Sequence, residues 1–173
     1  RRSSDLKPPA LSRAAWAATL QSPALMTCVL VTTLYAAGQF VLFAYLAPYY
    51  KASLDISPLQ LSALFMWFGM FGLLGNIWMS RHVDRLGAPR MVWMGISGMI
   101  LSLLIWPLGT TLWLAAIVVL PWALGGFATN SAQQARLVGL APALASGSVS
   151  LNTSALYSGQ AIGAAMGGLL ISA

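Results

Sequence analysis

Charged side chains are scarce in this sequence. Only 7% of its 173 residues are Asp, Glu, Lys or Arg, whereas soluble domains use about 25%. No such residue occurs at 14–50, 56–80, 91–135 or 137–173. Each of these stretches is longer than the roughly 20 apolar residues that a transmembrane helix requires. Together with a mean hydropathy of +0.77, this scarcity excludes an ordinary soluble domain and predicts an all-α, polytopic transmembrane bundle.

Residues that would carry other chemistry are equally rare. Cys28 is the single cysteine, so no intramolecular disulfide can form, and His82 is the single histidine, with no acid or second His at metalloprotease spacing. No G-x-x-x-x-G-K-[ST] pattern occurs, and the predicted spans hold no nucleophile–base pair beyond scattered hydroxyls. We therefore predict no enzyme, no metal, no cofactor and no ATP site. The net charge of +6 is not gathered into a dense basic patch, so nucleic acid is not a predicted partner either.

Proline and serine divide the remaining chain into five predicted spans. Ser22-Pro23 and Ser57-Pro58 are typical of helix starts, and Gln60 is placed to complete a capping box. Residues 1–21 are a predicted lead-in, in which 11–20 forms either a short interfacial helix or a linker. The predicted membrane bundle occupies 22–173 and has spans at 24–47, 59–78, 91–108, 112–134 and 145–173. Pro48 to Lys51 and the stretch 80–90 are predicted loops, and Pro121 and Gly125-Gly126 are predicted to bend the fourth span.

The basic residues indicate the orientation of these spans. Five crossings place Lys51 alone on one side. The other side receives eight basic residues, namely Arg1, Arg2, Lys7, Arg13, Arg81, Arg85, Arg90 and Arg136. By the positive-inside rule that side, with the amino-terminal end, faces the cytoplasm.

The stretch "SRHVDRLGAPR" at 80–90 contains more than topology signals. Asp84-Arg85-Leu86-Gly87, followed by Arg90, resembles the loop signature G-x-x-x-D-R-x-G-R-R of the major facilitator superfamily. Ser80 replaces the leading Gly, and Ala88-Pro89 interrupts the basic pair. The resemblance implies a secondary transporter of two six-span halves.

A second motif resembles the antiporter branch of the same superfamily. "GQAIGAAMGG" at 159–168 is similar to G-x-x-x-G-P-x-x-G-G, with Ala164 in place of the Pro. The stretches "NSAQQARLVGLAP" at 130–142 and "AAWAATLQSPAL" at 14–25 are similar to the second half of bacterial drug and sugar efflux permeases. Because the chain starts at Arg1 and stops within an apolar run, we expect a piece of a longer protein. The imperfect motifs resemble the second copies of the family's signatures, which implies a C-terminal-half fragment, spans seven to eleven, whose N-terminal half is missing. The alternative is spans one to five of a facilitator-type uptake permease.

The resemblance also implies roles for particular residues. Spans seven, eight, ten and eleven line the family's central cavity, so the substrate-contact candidates are Gln39, Asn130, Tyr157 and Gln160; hydrogen bonding between helices is the alternative. In the family's inner gate the loop carboxylate, here Asp84, clamps a basic residue, and Arg136 is the best placed to be that residue. The candidate gate residues are therefore Asp84, Arg85, Gly87, Arg90 and Arg136. A solvated loop without preferred pairing is the alternative.

Glycines recur every four residues at 159, 163 and 167. Such a ridge lets helices approach closely in lipid, so Gly159, Gly163 and Gly167 are predicted packing positions, which in this family also permit sliding.

The sequence as a whole predicts secondary transport of a small molecule in a bilayer, with efflux by proton exchange in a bacterial inner membrane. Because no predicted span contains Asp, Glu, Lys, Arg or His, the proton-binding group of such an exchanger must come from elsewhere. The alternative is a membrane structural or assembly subunit whose polar residues only join helices.

Overall fold

The computed structural model describes residues 12–172 as a bundle of α-helices without a β-strand in that range. Residues 1–11, which include Arg1, Arg2 and Lys7 of the predicted lead-in, and Ala173 lie outside the described residues. The helices in the described part are α1 Arg13–Gln21, α2 Pro23–Phe43, α3 Leu46–Leu54, α4 Pro58–Leu86, α5 Ala88–Leu104, α6 Leu112–Val118, α7 Leu120–Leu140 and α8 Ala145–Ser172. Short 3₁₀ turns occupy Trp106–Leu108 and Pro142–Leu144.

Three helical segments are long and apolar enough to cross a membrane: Pro23–Leu54, Pro58–Leu86 and Leu112–Leu140. The apolar helix α5 is shorter, with 17 residues, and α8 has 28. Helix α7 lies at the centre and packs against α4 on one side and α5 on another, while α2 and α8 pack together as a pair. The core of the bundle is therefore formed around α7.

Helix α4 begins at the predicted capping box, which is confirmed. The Gln60 backbone N–H donates to Ser57 Oγ at 3.3 Å, and the Ser57 backbone N–H donates to Gln60 Oε1 at 2.8 Å. Two of the N–H groups that a helix start leaves without partners are thereby satisfied. Local sequence chemistry thus determines where this helix starts.

The predicted loop at 80–90 is wrong in extent, because α4 continues to Leu86 and α5 begins at Ala88. Only Gly87 separates the two helices, with φ 87° and ψ 134°. Glycine accepts this positive φ without steric cost, and Pro89 lies in the first turn of α5, where its missing N–H removes no helical bond. One glycine therefore makes the whole turn, and the charged residues of the motif lie on helices.

The predicted loop from Pro48 to Lys51 is also wrong. Pro48 lies in the first turn of α3, a position where proline is compatible with a helix. Tyr50 is 3% exposed and its ring stacks on Trp106 at a centroid distance of 5.7 Å. The break comes earlier, at Ala44 and Tyr45.

The predicted fourth span is divided at Val119, two residues before Pro121. A side chain of α5 fills this break: Ser102 Oγ–H donates to the Val118 carbonyl at 2.6 Å, and the same oxygen accepts the Trp122 N–H at 2.9 Å. These two backbone groups are four residues apart and would bond each other in a continuous helix. The serine hydroxyl thus replaces one backbone hydrogen bond of the helix. The pair Gly125-Gly126 lies within α7 and does not interrupt it.

Candidate functional site

A cavity of about 280 Å³ lies between α2, α4, α7 and α8. It is lined by all four residues that the sequence singles out as substrate-contact candidates, namely Gln39, Asn130, Tyr157 and Gln160. Its apolar wall is formed largely by phenylalanine rings, those of Phe40, Phe43, Phe68 and Phe127. The cavity thus combines three amides and a phenol with aromatic surface, and none of its lining side chains is charged.

The side chain of Gln39 is held by a neighbour on α7. Trp122 Nε1–H donates to Gln39 Oε1 at 3.0 Å, and Trp122 is itself only 1% exposed. Because an indole N–H can only donate, this bond fixes which end of the Gln39 amide is the oxygen. The amide nitrogen remains available as a donor toward the cavity.

Asn130 connects the cavity to a buried polar network that the sequence analysis missed. Its Oδ1 accepts Asn152 Nδ2–H at 3.2 Å, and Asn152 Oδ1 accepts the Thr32 hydroxyl at 2.5 Å. Thr32 and Asn152 are both 0% exposed, so these bonds join α7, α8 and α2 where water is excluded. One signal was present in the sequence: Asn152 lies seven residues, two helical turns, before Gly159 and so extends the face of the glycine ridge.

Gln133 adds a second link between α7 and α2. It is fully buried, and its Nε2–H donates to the Cys28 backbone carbonyl at 2.7 Å. That carbonyl belongs to the turn of α2 that precedes Thr32. One turn of α2 is therefore held by polar side chains from both α7 and α8.

The glycines at 159, 163 and 167 are all buried against α2. A Cβ added at these positions would overlap the carbonyl oxygens of Thr33, Ala37 and Val41 respectively. Helix α8 thus lies directly on the backbone of α2, as the ridge of small residues predicts for close packing.

The predicted gate residues occupy the Gly87 end of the bundle. Asp84, Arg85 and Arg90 are exposed, and Arg136 is half-buried on α7. No ion pair forms within residues 12–172, so the predicted contact between Asp84 and Arg136 is absent from this structure. Because α4 stays helical through Leu86, Asp84 remains on an exposed helical surface instead of a loop that could fold toward α7.

Comparisons with known proteins give one consistent family. The family model described as Major Facilitator Superfamily matches residues 2–173. The "Uncharacterized MFS-type transporter YbcL" of Bacillus subtilis is 27% identical over 82% of this chain and 36% of its own length. The "Inner membrane transport protein YdhP" of Escherichia coli K12 is 29% identical over 90% of this chain and 40% of its own length.

A further relative has a different kind of name. The "Transcription regulatory protein OpdE" of Pseudomonas aeruginosa is 26% identical over 88% of this chain and 38% of its own length. The chain thus spans about two fifths of the curated relatives that it matches. No solved structure matches. Since the family model covers nearly all of its residues, this chain is an integral membrane protein of the major facilitator superfamily.

Proposed function

We propose that this chain forms part of a secondary transporter that moves a small molecule across the membrane by alternating access. The observation that carries the proposal is the cavity that brings together Gln39, Asn130, Tyr157 and Gln160 from three helices. Polar side chains within a membrane bundle are costly to expose to lipid. Their convergence on one aromatic-lined space is the arrangement expected of a binding site.

The chemistry of the cavity gives this part of the protein a binding role. Aromatic rings supply dispersion contacts, and amides supply donors and acceptors that fix the orientation of a ligand. Within residues 12–172 the acidic residues are Asp55 and Asp84, and neither lines the cavity. Because the motif at 159–168 resembles the antiporter signature, we propose efflux in exchange for protons, with the proton-binding group outside this chain.

The chain is proposed to be one half of the transporter, because it spans two fifths of the length of its relatives. It is proposed to be the C-terminal half, because its motif at 84–90 departs from the full signature. In that case the coding sequence upstream specifies six further spans with an acidic residue among them. Six spans encoded downstream instead would contradict this assignment and support the N-terminal half.

We further propose that the Gly87 turn faces the cytoplasm of a bacterial cell, within the inner membrane. In the predicted five-span topology, eight of the nine basic residues belong to that side. A membrane-impermeant maleimide applied to intact cells should label Lys51→Cys but not Arg85→Cys. The reverse labelling pattern would overturn the proposed orientation.

The transport proposal is tested by flux into proteoliposomes that contain the complete transporter and carry an imposed proton gradient. Ethidium and a radiolabelled monosaccharide serve as probes for the drug and sugar classes. Tyr157→Ala and Gln160→Ala should each raise the half-saturating probe concentration about three- to tenfold, the effect of one lost hydrogen bond. Protein abundance should not change, because Tyr157 is 65% exposed in this structure.

Ser158→Ala is the matched control, because Ser158 is exposed beside Tyr157 but does not line the cavity. It should leave the half-saturating concentration unchanged. Equal values for the cavity variants and the control would contradict the binding site. A folded protein without gradient-dependent flux of any probe would instead favour a structural or assembly subunit.

A further inference from the structure

A second, larger cavity does not belong to the proposed substrate site. It is an open groove of about 690 Å³ between α4 and α5, hereafter the α4–α5 groove. Both helices leave the single-residue turn at Gly87, pack on α7, and separate from each other. The volume lies within the about 300–1,000 Å³ that is usual for ligand pockets.

Glycines form the base of the α4–α5 groove. Added Cβ atoms at Gly75 and Gly98 would meet the backbones of Leu124 and Pro121 on α7. Without side chains at these positions, α4 and α5 lie directly on α7 and leave open space above it. The sides of the groove are apolar, with half-exposed Leu74 and Met94 on opposite helices.

The α4–α5 groove faces away from the proposed substrate cavity. Pro121 lines the groove and Asn130 lines the cavity. These residues are nine positions apart on α7, which is two and a half helical turns and so places them on opposite faces. When the cavity faces the rest of the transporter, the groove faces lipid.

The length of the α4–α5 groove favours a lipid chain over a partner helix. Its lining extends along α4 from Phe71 to His82, about 16 Å at 1.5 Å per residue. That is about half of the roughly 30 Å hydrocarbon core, the depth of one leaflet. A helix that crosses the membrane would require a groove through both leaflets.

The end of the α4–α5 groove nearest Gly87 carries the polar groups of an interfacial binding site. Arg81 and His82 are its titratable lining residues, and no carboxylate lines it. The His82 ring stacks on Trp78 at 4.7 Å, and His82 Nδ1 bonds the Trp78 carbonyl at 2.7 Å. Because a carbonyl only accepts, Nδ1 carries a proton, and Nε2 can donate to a second, anionic partner when the ring is doubly protonated.

We propose that the α4–α5 groove binds an anionic phospholipid, with one acyl chain along the glycine base and the phosphate at Arg81 and His82. Tryptophan and basic residues at headgroup depth favour this placement. With the orientation proposed above, the lipid belongs to the cytoplasmic leaflet. The site does not depend on which substrate the transporter moves.

The test is native mass spectrometry of the complete transporter, titrated with phosphatidylglycerol, phosphatidylcholine or inorganic phosphate. Arg81→Gln should weaken phosphatidylglycerol binding about fivefold, the effect of one basic residue at an anionic surface. It should weaken phosphatidylcholine binding less, because the choline cation offsets the charge of the phosphate. Leu74→Trp should fill the groove and weaken the binding of both lipids. Inorganic phosphate alone should not bind.

Two neighbours serve as matched controls, because Arg85 and Leu73 are exposed but do not line the groove. Arg85→Gln and Leu73→Trp should bind phosphatidylglycerol like the wild type. Equal binding by all four variants, no preference for phosphatidylglycerol, or equally tight binding of inorganic phosphate would overturn the proposal.

A photocrosslinker at position 74 identifies the occupant directly in membranes. It should attach to phospholipid. Attachment to another segment of the polypeptide would show that protein covers the groove and would overturn the lipid site, while leaving the transport proposal untouched.

Discussion

At the residue scale, a small number of polar side chains join the helices of this apolar bundle. Ser102 is the clearest case, since it bonds both Val118 and Trp122 across the break between α6 and α7. It is 0% exposed, so no water can replace its hydroxyl. In a membrane bundle such interior side chains allow an interrupted helix.

Ser102→Ala should leave a buried carbonyl and a buried N–H without partners. The expected loss in the free energy of unfolding is about 1–3 kcal/mol. For Ser97→Ala, at an exposed position on the same helix, the loss in the free energy of unfolding should be near zero. Thermal unfolding of the purified protein in detergent compares the two, and equal midpoints would show that the hydroxyl bridge does not stabilise the bundle.

Asp84 is the residue for which a conformational role is proposed without a contact in this structure. We expect its carboxylate to meet Arg136 in the alternate state, where a charge-assisted contact of about 1 kcal/mol shifts populations several-fold. Asp84→Asn should therefore change side-specific labelling of the cavity in the complete transporter several-fold.

A double-mutant cycle makes the Asp84 prediction specific. Arg136→Gln should add nothing to Asp84→Asn if the two residues act as one pair, and Asp55→Asn, at an exposed acid elsewhere, should have no effect. Additive effects of Asp84→Asn and Arg136→Gln would rule out this partner.

At the scale of elements, backbone contact between α2 and α8 depends on glycine. Gly163→Ala should separate the two helices, because its new Cβ would overlap the Ala37 backbone. Gly69→Ala is the matched control, since its Cβ would meet nothing within 4 Å. The control should be neutral or stabilising by up to about 1 kcal/mol, the difference in helix propensity.

Thermal unfolding midpoints of the Gly163→Ala and Gly69→Ala proteins measure this difference. We expect a lower midpoint for Gly163→Ala, by the equivalent of about 1–3 kcal/mol, the usual effect of overpacking a well-packed contact. A midpoint at or above that of the wild type would show that α8 can move away from α2 at no cost.

Features that depend on local chemistry could be predicted from the sequence. The capping box at Ser57 and Gln60 involves neighbours in the chain, and the glycine ridge has a fixed helical period. The predicted loops at 48–51 and 80–90 are wrong, because neither charge nor proline excludes a helix at these positions. Proline in a first turn and one glycine with positive φ leave the helices nearly continuous.

The candidate site could be predicted only in part. Gln39, Asn130, Tyr157 and Gln160 stand out as polar residues in apolar runs, and the structure places them around one cavity. Their partners Trp122, Thr32 and Asn152 could not be assigned from the sequence, because those contacts join positions 22 to 120 residues apart. Helix packing, which no local pattern specifies, decides such contacts.

At the scale of the whole molecule, the two main cavities lie on opposite faces of α7. One is aromatic and amide-lined, and we assign it to the substrate pathway; the other is one leaflet deep and ends in basic residues, and we assign it to lipid. Such a division fits a half-bundle that meets its partner half on one face and the membrane on the other.

The central claim is that the face of α8 with Gln160 lines a water-filled substrate pathway. The most direct measurement is labelling of Gln160→Cys by a charged maleimide in the complete transporter, in a Cys28→Ala background. Ile162→Cys is the control, because two residues along a helix lie on nearly opposite faces. The account predicts that Gln160→Cys reacts, that a transported probe protects it, and that Ile162→Cys stays unlabelled. Equal, negligible labelling at both positions would contradict it.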